Sequence, residues 1–286
     1  MIRVSIAFIL ASLVCSAPPV QYDAWDRAMK AHVSSSDELD GVPLHTVDYS
    51  ALASDPDFTA FVASLEFADT HALSKNETYA LFMNAYNALA MKMIVDHPCK
   101  HNVFGCCTGP ISSIKDIGVS LFHTPISTVW TRDAGNIGGR TYSLQQIENF
   151  LRDPKPFDED ARLHACIVCA SVSCPNVRVG AFHPESIDAE MTDQMRNMLS
   201  NNVKGFALDR DSKTVTLSRI FSWYAGDFSK AAGSVLDFIL PYLSNVDRLF
   251  IVANKADITL AFFGYDWNAN GKVPCNCSGS SANIVV

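Results

Sequence analysis

The sequence predicts a single α+β domain, with a small, mainly antiparallel sheet surrounded by helices. Three observations predict it. Lys75 to Asp96 carries apolar residues at three- and four-residue spacing, the mark of a long helix with a buried stripe. Two pairs of short β-rich stretches are joined by tight turns, Gly138-Gly139 in one and Arg210-Asp211-Ser212 in the other. Helices and short strands alternate without the regular rhythm of a doubly wound sheet, and no Pro- or Ser-rich linker divides the chain.

Composition sets the class. The 286 residues are 48% hydrophobic and 18% charged, which excludes a disordered or low-complexity chain. Lys+Arg 22 against Asp+Glu 30 leaves a net charge of −8, and no basic run offers the footprint that a phosphate backbone requires. Nucleic acid is therefore not an expected partner.

In chain order, Arg3 and the apolar run Val4 to Val14 read as a signal peptide over residues 1–16, cut after Ser16. The run falls short of the ~20 residues a membrane span needs, and no later stretch is long enough, so a secreted, extracellular protein without a membrane span is expected. Residues 17–46 read as an N-terminal helix, Tyr22 to Val33, and a linker. Residues 47–270 read as the globular body and 271–286 as a Cys-, Gly- and Ser-bearing tail. Asp55 and Pro56 open a helix to Phe67, and Pro98 closes the long one. Thr128 to Arg132 and Arg140 to Tyr142 form the first hairpin. Ser143 then caps a helix to Leu151 with Gln146 as its capping-box partner. Ala161 to Ala170 is apolar on both alternating faces and reads as a strand covered on both sides. Pro184 to Asn201 is a helix whose Met191, Met195 and Met198 fill core space. Phe206 to Asp209 and Thr214 to Leu217 make the second hairpin, and helices follow from Ser218 to Lys255.

Cysteine usage fits export. Of nine cysteines, removal of Cys15 leaves an even eight, as disulfides in an oxidising compartment require. Cys99 and the Cys106-Cys107 pair bracket a short polar stretch and predict a local bridge. Cys275 or Cys277 is expected to staple the tail. Asn76 and Asn276 begin glycosylation sequons.

Two groups of residues could carry function. Asn84 and Asn87 lie on one face of the longest helix, where amides are poor helix formers; they either bind a ligand or satisfy neighbouring carbonyls. His164, Cys169 and Cys174 could supply base and nucleophile, with Glu148 orienting the base. In a flat strand, however, His164 and Cys169 point to opposite faces and lie ~16 Å apart at 3.3 Å per residue. A zinc set of His164, Cys169, Cys174 and His183 has irregular gaps and lacks a second close pair, so neither metal nor cofactor is expected.

The chain resembles the Domain of Unknown Function 547 family from about Val47 to Asn270. The likeness rests on Val47-Asp48-Tyr49-Ser50-Ala51-Leu52, Leu81 to Leu89 with Asn84 and Asn87, Ser113-Ile114-Lys115-Asp116-Ile117, and Asn136-Ile137-Gly138-Gly139 with Ile147-Glu148. It continues through Leu163-His164-Ala165, Cys169, Ser173-Cys174-Pro175, Phe221-Ser222-Trp223-Tyr224 with Asp227-Phe228, and Tyr265-Asp266-Trp267-Asn268. Met83 departs from the family's usual Trp or β-branched residue, and Ala170 replaces its usual Gly. Plant relatives commonly carry Ser where this chain has Cys174, which argues against an obligatory thiol there. The resemblance implies no activity but points to the Asn84/Asn87 helix, Glu148, His164 and Cys169 as the site.

Two functions are consistent with these residues. One is a non-catalytic module that binds a peptide, glycan or protein ligand in a polar pocket formed by Asn84, Asn87 and His164. The other is a cysteine-dependent hydrolase or acyl transferase using Cys169 or Cys174 with His164 as base.

Overall fold

A computed structural model describes residues 20–101, 107–121, 124–153 and 159–274. The expected signal peptide, Cys106, Cys275, Cys277 and Asn276 lie outside the described residues. Eleven α-helices and five small sheets make a mixed α+β body among the described residues. The strands are dispersed as hairpins around the helices.

Helix α1 (Tyr22–His32) leads into strands β1 (Val33–Leu39) and β2 (Val42–Val47). The stretch read as a linker is thus an antiparallel hairpin. Helices α2 (Tyr49–Leu52) and α3 (Pro56–Leu65) are capped by Asp48 and Asp55, whose carboxylates accept amide hydrogens of the first turn. Helix α4 (Lys75–Asp96) begins at a complete capping box of Ser74 and Glu77. Its burial extends all round, from Leu81, Phe82 and Met83 to Leu89 and Ile94, so it is the axis of the main core rather than an amphipathic surface helix.

Strands β3 (Cys99–His101) and β4 (Cys107–Pro110) are joined by a Cys99–Cys107 disulfide, the local bridge the spacing suggested. Strands β5 (Val119–Leu121) and β6 (Thr124–Ser127) form a further hairpin. Strands β7 (Asp133–Ile137) and β8 (Arg140–Ser143) turn at Gly138 and Gly139, both at positive φ. Their amides donate to Leu65 O and Glu66 O, docking the turn on the end of α3. The first strand of this hairpin therefore starts at Asp133, after the Thr128 to Arg132 stretch the sequence pointed to.

Helix α5 (Leu144–Arg152) opens with the expected Ser143–Gln146 capping box. The largest departure follows. Residues 161–170 do not form a strand: Leu163–Cys166 is a helical turn, α6, and the chain then runs extended and buried. A fully buried stretch is apolar on every face, so alternation could not separate the two conformations. Helix α7 (Ile187–Ser200) buries Met191, Met195 and Met198. Strands β9 (Phe206–Asp209) and β10 (Thr214–Leu217) form the second hairpin, with the expected bounds, and helices α8 (Arg219–Trp223), α9 (Ala225–Ala232), α10 (Val235–Ile239) and α11 (Asn245–Ala253) follow. Strand β11 (Thr259–Phe262) then joins β10 in parallel.

Residues 265–270 return across the body and zip onto residues 170–173. Val172 N donates to Asn268 O, Ser173 N to Asp266 O and Asn270 N to Ala170 O. Tyr265 packs against both the α4-centred core and the smaller core built by α7 to α11.

Candidate functional site

A cavity of about 460 Å³ opens where these two cores meet. Helix α5 supplies one wall through Gln145, Glu148, Asn149 and Arg152, spaced so that all four share one helix face. The other wall is aromatic: Trp130, Trp223, Tyr224, Tyr265 and Trp267. Trp267 stands 4.5 Å from Tyr265, 5.8 Å from Trp223 and 6.1 Å from Trp130, centroid to centroid. Lys115 Nζ lies 4.7 Å over the Trp267 ring and braces it. Trp223 is 48% exposed despite its size.

His164, Cys169 and Cys174 all line this cavity with Glu148. The helical turn α6 accounts for that: it bends the chain between His164 and Cys169, so the opposed faces expected of a flat strand do not arise. Asn84 and Asn87 are brought to the same neighbourhood but are not in the cavity. Asn84 Nδ2 donates to Phe182 O and its Oδ1 accepts from Phe182 N, at 2.8 and 2.9 Å. Asn87 does the same across a gap, donating to Cys166 O at 2.9 Å and accepting from Val168 N at 2.8 Å. Each amide thus replaces the neighbouring strand that residues 166–168 and 182 lack. Of the two roles the sequence left open, these contacts are the second: the asparagines satisfy the site's backbone, and both are buried outside the cavity lining.

His164 is set from behind. Its Nε2–H donates to Asp227 Oδ2 at 2.8 Å, and its ring stacks on Tyr224 at 4.0 Å. Asp227 also accepts from Arg152 Nε and a terminal nitrogen, at 2.8 and 3.1 Å. Arg152 and His164 together hold the Asp227 carboxyl below its usual range, against its partial burial. Burial pulls the His164 imidazole down to about 4, only partly opposed by Asp227. The ring is therefore neutral, and its Nδ1 has no hydrogen-bond partner among the described residues. Tyr224 Oη donates to Glu148 Oε1 at 2.7 Å. Burial outweighs that bond and raises the Glu148 carboxyl.

The sulfurs form a second cluster. Cys169 Sγ and Cys174 Sγ lie 2.7 Å apart, and Cys169 N donates to Cys174 Sγ at 3.2 Å. Ser171 Oγ donates to Tyr265 Oη at 3.1 Å, and Tyr265 Oη donates in turn to Cys174 Sγ at 3.1 Å. These donors favour the Cys174 thiolate and bring it to about 6, while Cys169 is pushed well up by its neighbour and by burial. Lys204 Nζ clamps the loop from below, donating to Val172 O, Cys174 O and Asn176 Oδ1. Neither thiol shares a hydrogen bond with a histidine among the described residues.

The zinc set is not assembled. His183 is held instead between Asp26 and Glu190, at 3.4 and 3.5 Å. Glu159, His164 and Asp227 do bring ligand atoms within 4.8 Å of one another. Arg152 on Asp227 and Lys230 on Glu159 already supply a cation to each carboxylate, which disfavours a further divalent charge there.

Sequence reasoning assigned no role to Asp227, Arg152, Tyr224, Ser171 or the aromatic wall. Asp227, Trp223, Tyr224, Tyr265 and Trp267 stood in the family-like motifs, but their partners lie far along the chain and no spacing rule links them.

The family model described as "Protein of unknown function, DUF547" matches residues 70–199. No curated protein and no solved structure matches the chain.

Proposed function

From the match of residues 70–199 to the DUF547 family model and the geometry of the site, we propose that the cleft binds an oligosaccharide. The observation that supports this is the pairing of walls. Tryptophan faces suit the apolar faces of sugar rings, and the amide, carboxylate and guanidinium groups of Gln145, Asn149, Glu148 and Arg152 suit sugar hydroxyls. The neutral, Asp227-backed His164 lies in the lining as a fixed acceptor through Nδ1. On this reading the chain is exported by its N-terminal segment and Asn76, exposed on the first turn of α4, is a glycosylation site. No helix among the described residues is long and apolar enough to cross a membrane.

The test is titration of the full chain with defined oligosaccharides, followed by tryptophan fluorescence. Saturable quenching is expected, weakened at least about tenfold in Trp223→Ala and in Asn149→Ala, with melting temperature unchanged. Quenching by peptides and by no sugar would overturn the reading.

One observation favours a second reading, thiol-dependent hydrolysis or acyl transfer. Cys174, with its lowered pKa, lines the same cavity as a neutral, carboxylate-backed imidazole. A proton relay between them would have to run through the ligand or water. Turnover of model thioesters abolished by Cys174→Ser, with glycan binding intact, would support it.

A further inference from the structure

We propose that Cys169 and Cys174 are a redox-active pair that closes reversibly into a disulfide at the floor of the cleft, with a small peroxide as oxidant. The inference is independent of which ligand the cleft takes.

The geometry is assembled for that bond. The two sulfurs are 2.7 Å apart, inside the contact distance of two unbonded thiols. Four residues separate them, in a loop fixed at both ends. Residues 170–173 are zipped to 266–270, and Lys204 ties down the carbonyls of Val172 and Cys174. The sulfurs are therefore held together by the fold and not by chance approach. Cys174 has three donors aimed at it: Cys169 N–H, Tyr265 O–H and Cys169 S–H. That is the environment of a thiolate, and the low value reached by Cys174 agrees. Cys166 differs from both. Its S–H donates to Arg162 O at 3.3 Å, burial pushes its thiol up, and it lies outside the cavity lining.

The chemistry balances with one oxidant. The Cys174 thiolate attacks a peroxide oxygen, the O–O bond breaks, and hydroxide leaves as Cys174 sulfenic acid forms. Cys169 sulfur then attacks Cys174 sulfur, hydroxide is displaced, and the Cys169 proton converts it to water. Two thiols and one hydrogen peroxide give one disulfide and two waters. Reduction by a dithiol reverses the change.

The pair is tested in the full chain carrying Cys166→Ala, so that only Cys169 and Cys174 report within the tryptic peptide of residues 163–178. After brief hydrogen peroxide treatment that peptide is expected two hydrogens lighter and closed to alkylation, and dithiothreitol should restore both. Dimedone should trap a sulfenic acid on Cys174 in Cys169→Ser. Peroxide consumption at neutral pH should fall at least about tenfold in Cys174→Ser. Tyr265→Phe, which keeps the ring and removes one donor, should slow it by a smaller factor. Separate sulfinic acids without a crosslink, or a bond that dithiothreitol cannot open in the folded chain, would overturn the proposal.

Discussion

His164 Nε2 donates to Asp227 Oδ2 across 2.8 Å, joining residues 63 positions apart and fixing which imidazole nitrogen is left for the cleft. The pair sets a pH window. Burial holds the folded His164 at about 4, below its ordinary 6.5, so the unfolded chain takes up the proton first as pH falls. Stability from this group is complete above 6.5 and is lost on the way down to about 4, by up to about 3 kcal/mol. Unfolding free energies across that range should show the slope in the wild type and a flatter one in His164→Gln.

Asp227→Asn removes the carboxylate shared by Arg152 and His164 and leaves a half-buried guanidinium without its ion pair. A loss of about 2 kcal/mol is expected, below the range for fully buried pairs because Arg152 is partly exposed. Because Asp227 favours the protonated imidazole, NMR titration should find His164 still lower in the variant.

Asn87→Ala strands Cys166 O and Val168 N in the core, where each unsatisfied group costs about 1–3 kcal/mol. Urea denaturation should show a loss of about 2–4 kcal/mol. Asn87→Asp keeps the acceptor but sets a buried, unpaired carboxyl group against Cys166 O, so its loss should be at least as large. Unchanged stability in Asn87→Ala would contradict the clamp.

Ala170 stands at φ 57, a conformation that strains any residue with a Cβ. Ala170→Gly relieves that strain at the cost of a more mobile unfolded chain, and a net gain of about 0.5–1 kcal/mol is expected. A lower melting temperature in Ala170→Gly would contradict this account.

The Cys99–Cys107 bridge closes a short loop. Replacing both residues by Ser should cost at most about 2.5 kcal/mol on the loop-entropy relation. Little of that should reach the cleft, since the bridged hairpin contributes none of its lining.

Helix α4 was legible because its signals are local: Ser74 and Glu77 cap it, Pro98 follows its end, and its apolar residues recur at helical spacing. The same holds for β9 and β10, bounded by turn residues. Residues 161–170 were misread because their backbone partners are an asparagine on α4 and a segment nearly a hundred residues downstream. Sequence placed His164, Cys169, Cys174 and Glu148 among the candidates from their chemistry. It could not supply Asp227, Arg152 or the aromatic wall, because what makes them a site is convergence in space and not spacing along the chain.

Segment 265–270 bears on how the protein can be handled. Trp223, Tyr224, Asp227, Tyr265 and Trp267 all lie downstream of residue 199, where the family match stops. A fragment trimmed to that match would keep both thiols and His164, yet lose the carboxylate behind the imidazole and most of the tryptophan face. Expression boundaries drawn from the family model would therefore yield an unfinished cleft, and any null binding result from such a fragment would report the missing half.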